Sequence, residues 1–150
     1  MKFVIQRVRN ASCTVDDHVT GSIEQGFLVL IGIADTDNEE LADKMVKKLI
    51  ALRIFEDSGG RTNLSLKDVN GSLLLISQFT LYADCRRGNR PSFTKAGNPE
   101  TAKRLYEYII QLCRQQVPIV EQGIFGADMK LSLLNDGPFT IVLDSDELYC

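Results

Sequence analysis

The chain has 150 residues, of which 44% are hydrophobic and 25% charged, and 17 basic against 20 acidic side chains give a formal charge of −3. This length fits one domain, 1–150, with a core of two or three layers, and the composition excludes a disordered or fibrous chain. The net charge gives no indication of nucleic-acid binding, so any such indication has to come from local clusters.

The first part of the chain predicts three strands. Apolar residues alternate over 3–8 and continue through 13–15, and a turn at Asp16-Asp17-His18 then leads into 19–23, which together predict a hairpin. Residues 27–34 form an unbroken apolar run, typical of a strand covered on both faces. This run is far shorter than the roughly 20 residues of a membrane span.

The rest of the chain predicts two helices and five further strands. The D-x-x-E spacing of Asp37 and Glu40 predicts a helix that runs to about residue 50, with Asp37 as its N-cap. Asn98 and Pro99 predict the start of the second helix. Strands are expected over 53–55, 72–82, 117–120, 129–133 and 139–143, with a polar loop over 58–71 and a turn over 135–138. The order βββ-α-ββ-α-βββ indicates an α/β domain with two main helices packed on layered sheets.

Side chains that could carry protein-borne chemistry are scarce. The only histidine, His18, lies in a predicted turn between two aspartates, so a Ser-His-Asp arrangement is not expected. The acidic residues show no metal-binding pattern, and the four cysteines are scattered, which favours reduced thiols in the cytosol. The N-terminal segment has no signal-peptide pattern. We therefore expect a cytoplasmic protein without a metal or another cofactor.

A polar segment at the end of a predicted strand is the first candidate site. Ser77-Gln78-Phe79-Thr80 directly follows the apolar run 73–76. Strand ends often face ligands in α/β folds, although a strand that exposes alternate polar side chains would give the same pattern.

A basic loop is the second candidate site. Residues 84–95 hold Arg86, Arg87, Arg90 and Lys95 against Asp84, a local charge of 4 − 1 = +3. The loop is a candidate phosphate contact, with a solvated loop as the alternative. Phe93 could stack on a base or anchor the loop to the core.

Two motifs resemble the signatures of the bacterial-type D-aminoacyl-tRNA deacylases. They are Ser77-Gln78-Phe79-Thr80-Leu81, similar to the family's SQFTL, and Asn135-Asp136-Gly137-Pro138-Phe139-Thr140, similar to its N-x-G-P-x-T. Shorter matches extend the resemblance over the whole chain: Gln6-Arg7-Val8, Arg53-Ile54-Phe55, Arg90-Pro91-Ser92-Phe93-Thr94 and Phe125-Gly126-Ala127-Asp128-Met129. Phe139 and Cys85 depart from the expected smaller aliphatic residue and threonine, and Phe139 bears on the shape of the pocket.

The resemblance implies a barrel-like deacylase domain that cleaves the ester between a D-amino acid and the 3′ end of tRNA. It also implies a homodimer in which Gly137-Pro138, joined by a cis peptide, reaches into the partner's active site and rejects L-amino acids. Glycine has no side chain to reject, so glycyl-tRNA is an expected further substrate.

The resemblance assigns site residues as well. The backbone N–H groups of Phe79 and Thr80 are expected to face the substrate carbonyl, as in an oxyanion hole. Ser77, Gln78 and Met129 are expected to line the same site, and Arg7 to brace the Gly137-Pro138 motif. The 2′-hydroxyl of the tRNA would assist the attacking water.

Three alternatives to this reaction stay open. One is a mechanism with Thr80 as a covalent nucleophile, and a second is a general esterase or peptidase that acts on small substrates. A third is a non-catalytic RNA-binding module that uses Arg86, Arg87 and Arg90.

Overall fold

The structure, a computed structural model, describes residues 1–149. Within this range there are eight strands: β1 Lys2–Val15, β2 His18–Ile23, β3 Gly26–Gly32, β4 Phe55–Glu56, β5 Thr62–Leu64, β6 Ser72–Ser77, β7 Val120–Gln122 and β8 Lys130–Asp144. The α-helices are α1 Glu39–Ala51, α2 Pro99–Arg114 and the short α3 Ser145–Leu148, and a 3-10 helix spans Phe79–Tyr82. The α/β class and the two main helices are confirmed.

The main sheet is organised around β1 and has the order β2-β1-β3-β6-β7. The first half of β1 pairs antiparallel with β3 and its second half with β2, while β8 pairs with it from Lys2 to Thr14. The pairs β3-β6 and β6-β7 are parallel. β2 returns across the sheet, where Gly21 lies against Leu74 and Gln122. The sheet therefore curls into a nearly closed, barrel-like layer.

Two apolar clusters lie on opposite faces of β3 and β6. Phe27, Val29 and Ile31 face the large cluster formed with α1 and α2. Leu28 faces the smaller cluster enclosed by the curled sheet, together with Leu74 of β6. Because side chains alternate between the faces of a strand, an unbroken apolar run is what a strand covered on both sides requires. The predicted central strand is confirmed, with its end at Gly32.

The predicted cap of α2 is confirmed, and the predicted cap of α1 is wrong by one residue. Asn98 Oδ1 accepts a hydrogen bond from Thr101 N at 3.0 Å, and Pro99 is the first residue of α2. α1 is capped by Asn38, which accepts from Leu41 N at 2.9 Å. The buried Asp37 carboxylate accepts instead from the Met1 α-ammonium group and from Ala34 N, each at 2.8 Å.

Two short strands are displaced from their predicted positions, with β4 at Phe55–Glu56 instead of 53–55 and β7 at Val120–Gln122 instead of 117–120. The strand pattern differs more strongly at three other places. The strand predicted over 72–82 ends at Ser77, because the chain turns into the 3-10 helix. The loop over 58–71 contains β5, which pairs with β4. The turn over 135–138 does not separate two strands but forms a bulge inside β8, where Gln6 pairs with Thr140 and Val8 with Asn135. Three strands therefore lie between α1 and α2, and two follow α2.

Candidate active site

A cavity of about 720 Å³ opens where the parallel strands β3 and β6 end. Its apolar floor consists of Ile31, Ile33, Ile76, Ala102 and Leu131. Ser77, Gln78 and Phe79 form one wall, residues 125–129 another, and residues 96–99 at the start of α2 a third. Cavities at the carboxyl ends of parallel strands are the usual ligand sites of open α/β sheets.

The wall after β6 presents backbone donors. Gln78 N donates to Ile31 O at 2.7 Å, which continues the pairing of β6 with β3 for one residue before the chain turns. Phe79 and Thr80 then begin the 3-10 helix, and the first N–H groups of a helix have no intrahelical acceptor. Neither of these two N–H groups bonds to an acceptor within residues 1–149. Phe79 lines the cavity, and Thr80, the next residue, lies just outside its lining.

No described residue is placed as a base beside Thr80. The Thr80 hydroxyl accepts from the side-chain amide of Gln78. His18 is the first residue of β2, directly after the Asp16-Asp17 turn, and its Nδ1 is 2.6 Å from the carbonyl oxygen of Asp16. Asp128 is the only charged side chain in the lining of the cavity, and it pairs with Lys130 at 2.9 Å. No nucleophile-base pair is thus formed by the lining residues.

The opposite wall is fixed to the core. Met129 packs its sulfur against Gly123, where there is no space for a Cβ atom. The ring of Phe125 contacts Tyr106 with 6.0 Å between ring centroids, and the Tyr106 hydroxyl donates to Leu75 O at 2.8 Å. Burial raises the pKa of Tyr106, so this hydroxyl stays protonated. The wall therefore has a defined position relative to β6.

Gly137 and Pro138 lie outside this cavity. They are exposed, their peptide bond is cis, and they form the tip of the β8 bulge. Arg7, only 6% exposed, holds the bulge from below: Nε donates to Asp136 O at 2.9 Å, and Nη1 donates to Ile54 O at 2.6 Å. The Phe139 ring covers the Arg7 guanidinium at 4.6 Å. Phe139 therefore packs on Arg7 and does not line the cavity of its own chain.

The basic loop forms a separate concave surface. A cavity of about 460 Å³ is lined by Asp84, Arg86, Arg87, Arg90, Ser92 and Thr94. Phe93 points away from this set and into the main cavity, where its ring contacts that of Phe79 at 5.1 Å. The structure thus brings together Ser77, Gln78, Phe79, Phe93 and Met129 and leaves the three arginines beside them.

The start of α2 belongs to the site, and sequence analysis did not assign it. Gly97 N donates to Ile33 O at 2.8 Å, and a Cβ atom on Gly97 would lie 3.1 Å from that oxygen. A glycine directly before an N-cap was the available signal for this close approach.

Residues 1–149 lack two further kinds of feature. No group of three or more His, Cys, Asp or Glu side chains is placed to hold a metal ion. No helix in this range is long and apolar enough to cross a membrane.

These features define an α/β protein whose ligand cavity offers backbone donors in place of a nucleophile-base pair. The family model described as D-Tyr-tRNA(Tyr) deacylase matches residues 4–144. The chain belongs to this family, which confirms the resemblance found in the sequence.

Relatives match the chain over its whole length. It is 50% identical over 149 residues to a D-aminoacyl-tRNA deacylase of Thermosipho africanus, covering 99% of this chain and 100% of the relative. It is 50% identical over 145 residues to one of Clostridium novyi, covering 97% of each.

Two solved structures share the fold. A c-Myc DNA Unwinding Element Binding Protein superposes with a TM-score of 0.91 at 37% identity, covering 96% of this chain and 98% of that one. A probable eukaryotic D-amino acid tRNA deacylase superposes with a TM-score of 0.76 over 95% and 97%, and at 17% identity it shows the fold alone.

Proposed function

We propose that this protein hydrolyses the ester between a D-amino acid and the 3′ end of tRNA, and that it does so in the cytosol. The observation that carries the proposal is the pair of unbonded N–H groups of Phe79, in the wall of the cavity, and its neighbour Thr80, beside a lining that forms no nucleophile-base pair. Such donors stabilise the oxyanion that develops when water attacks an ester carbonyl. Membership of the deacylase family gives independent support.

Water and the substrate supply the remaining groups. The terminal ribose carries a 2′-hydroxyl beside the esterified 3′-oxygen, and this hydroxyl can orient the attacking water. The water oxygen bonds to the carbonyl carbon, the bond to the 3′-oxygen breaks, and that oxygen leaves with a proton as the tRNA 3′-hydroxyl. The absence of a base beside Thr80 agrees with this mechanism better than with a covalent one.

A homodimer completes the site. The outer edge of the 15-residue strand β8 has no partner strand within residues 1–149, and Leu134 and Val142 on β8 are 53% and 62% exposed. A long, partly apolar edge needs a cover, and a two-fold axis presents the same surface on both subunits. In this dimer Gly137 and Pro138 of one subunit enter the cavity of the other.

This arrangement would select chirality by exclusion. A pocket that only fits its ligand discriminates by about 1–3 kcal/mol per methylene group, so strong rejection needs a rigid obstacle. The backbone around Gly137 and Pro138 is held by Arg7 and would occupy the space that an L side chain needs. Glycine has no side chain to exclude, and glycyl-tRNA is therefore a second substrate.

The test is deacylation of matched D-tyrosyl-tRNA and L-tyrosyl-tRNA with a chelator present. Wild-type protein is expected to release only D-tyrosine. In Gly137→Ala the new Cβ would lie 3.1 Å from Phe139 N and 3.2 Å from Arg7 Nη2, at a φ of +143°. We expect its rate on the D-ester to fall about 100-fold because the motif is displaced.

Thr80→Ala is the matched variant, since it keeps the backbone N–H and removes the hydroxyl. We expect a smaller loss from Thr80→Ala than from Gly137→Ala, and the reverse order would favour covalent catalysis by Thr80. Equal cleavage of both esters, together with turnover of small esters that lack RNA, would indicate a general esterase. Salt-sensitive tRNA binding without cleavage of either ester would indicate an RNA-binding module that uses the basic loop.

A further inference from the structure

The basic loop divides its three arginines between two roles. Arg86 is engaged within the loop: its Nε lies 2.9 Å from Asp84 Oδ1, its Nη2 lies 2.5 Å from Asp84 Oδ2, and its backbone N–H donates to Oδ1 at 3.1 Å. This contact with Arg86 holds the pKa of the Asp84 carboxyl well below its usual range. Arg86 therefore neutralises Asp84 and stabilises the turn.

Arg87 and Arg90 line the same cavity of about 460 Å³ and have no carboxylate partner within residues 1–149. Among the described residues the only acidic side chain of this cavity is Asp84, and Arg86 occupies it. The three arginines and one aspartate give the lining of this cavity a net charge of 3 − 1 = +2. The hydroxyls of Ser92 and Thr94, 3.4 Å apart, complete the lining. Guanidinium and hydroxyl donors around a concave surface match the oxygens of a phosphate group.

The loop holds this cavity at a fixed place beside the active site. Asp84 and Ser92 exchange backbone hydrogen bonds of 2.7 and 3.0 Å across the loop. The next residue, Phe93, packs its ring on Phe79 in the main cavity. Just after the loop, Gly97 N donates to the carbonyl oxygen of Ile33, the residue that follows β3. A group bound by the arginines therefore has a defined position relative to the backbone donors of Phe79 and Thr80.

We propose that Arg87 and Arg90, with the hydroxyls of Ser92 and Thr94, bind a backbone phosphate of the RNA on the 5′ side of its terminal nucleotide. The inference rests on the proposed function, which puts the esterified 3′ end in the main cavity. Because that nucleotide ends in the ester, the nearest phosphates lie on its 5′ side, and a separate cationic surface is needed to reach them. Because of this site, the affinity of the enzyme for its substrate depends on nucleotides that precede the terminal nucleoside.

A comparison of two substrates that contain the same ester distinguishes phosphate binding by Arg87 and Arg90 from a role in catalysis. They are D-tyrosyl-tRNA and the 3′-D-tyrosyl ester of adenosine, which has no phosphate. For the double variant R87Q/R90Q we expect the KM for the tRNA ester to rise about tenfold or more, with kcat unchanged, because charged hydrogen bonds to phosphate are lost. Its kcat/KM on the adenosine ester should equal that of wild type.

The control is Arg114→Gln, which removes one arginine charge, against two in the double variant, from an exposed position at the other end of α2. This helix has 16 residues, so its ends lie about 24 Å apart. The control should bind and cleave both esters as wild type does. Circular dichroism and thermal melting of all variants establish that they are folded.

Binding of uncharged tRNA at increasing KCl gives a readout that needs no catalysis. The slope of log Kd against log salt should fall by about 0.7 for each single-strand phosphate contact that the double variant loses. Wild-type affinity and slope in R87Q/R90Q would overturn the phosphate site, and so would an equal loss on both esters. If wild type cleaves neither ester while R87Q/R90Q still weakens tRNA binding, the proposed function is wrong and the phosphate site remains.

Discussion

Arg7 is a buried charged residue that has no carboxylate partner within residues 1–149. Its guanidinium donates to two backbone carbonyls, those of Ile54 and Asp136, and carries the Phe139 ring on its face. The planar guanidinium offers donors in several fixed directions, whereas a lysine ammonium is a compact point charge. One side chain therefore ties the β8 bulge to the segment that follows α1.

Arg7→Lys should lower both stability and activity. A lysine at this position cannot reach both carbonyls, and an unsatisfied buried acceptor costs about 1–3 kcal/mol. With the bulge displaced, kcat on D-tyrosyl-tRNA should fall about 100-fold. The two measurements are chemical denaturation and single-turnover deacylation.

Arg9→Lys is the control for this prediction. Arg9 is 71% exposed and lies 3.5 Å from the Asp136 carboxylate beside the same bulge, so the exchange should leave both quantities near wild type. If Arg7→Lys and Arg9→Lys had the same stability and the same deacylation rate, the several donor directions of the Arg7 guanidinium would have no role.

Asp37 and Asn38 show what sequence could not resolve at this scale. Both are good helix caps, and Glu40 lies at capping-box spacing from Asp37. Which of Asp37 and Asn38 caps the helix depends on the Met1 α-ammonium group, which lies 36 positions before Asp37 in the chain and donates to its carboxylate. Glu40 pairs with Lys44 at 2.8 Å instead. A local pattern predicted the start of the helix within two residues, and a long-range contact decided its cap.

At the scale of elements, glycine sets how closely β3 follows β6. Gly26 begins β3 opposite Ser72, and the backbone of Ser72 occupies the space of a Gly26 Cβ atom. Ser72 N also bonds to Gln25 O at 2.9 Å, so the two backbones cannot separate without loss of this contact. The parallel pair whose ends form the cavity therefore depends on this glycine.

Gly26→Ala should destabilise the fold by about 1–3 kcal/mol, the usual cost of overpacking a core. Urea denaturation would show a lower midpoint with an unchanged m value. Gly59→Ala is the control, because Gly59 lies in an exposed turn where a Cβ atom would meet only Asp57 Oδ1, at 3.3 Å. Equal midpoints for the two variants would contradict the close approach of β3 and β6.

Sequence predicted the middles of the strands better than their ends. The run 27–34 and the alternation in 129–133 follow from burial, which residue types record directly. Polar and apolar residues also alternate over 77–82, which is why the predicted strand extends to Tyr82. The chain nevertheless leaves the sheet after Gln78 N donates to Ile31 O, and it forms a 3-10 helix instead. The turn residues at 135–138 correctly marked an irregularity. Its form, a bulge on a continuous strand, depends on pairing with β1 that the local pattern does not contain.

At the scale of the whole molecule, the candidate site combines distant segments that sequence motifs identified separately. The motif after β6 and the segment 125–129 meet in one cavity, while Gly137 and Pro138 lie outside it on the same chain. Motif resemblance assigned these residues to one site but could not show which of them share a cavity within one subunit. The start of α2 was not assigned, because its contact with Ile33 O is formed only by the tertiary fold.

A mixed dimer tests whether, in the proposed homodimer, the site is completed across subunits. One subunit carries Gly137→Ala, and the other carries Ala127→Trp, which fills the cavity from the wall that contains Met129. Each homodimer is expected to be inactive on D-tyrosyl-tRNA. In the mixed dimer one site combines both defects, and the other combines an intact cavity with an intact Gly137-Pro138 motif.

After dissociation and reassociation of equal amounts, half of the dimers are mixed and each has one competent site. Activity should therefore return to about a quarter of the wild-type value per subunit. If the motif acted on the cavity of its own chain, every subunit would keep one defect and mixing would restore nothing. The mixture thus tests the cross-subunit site directly, because no single chain in it carries both intact parts.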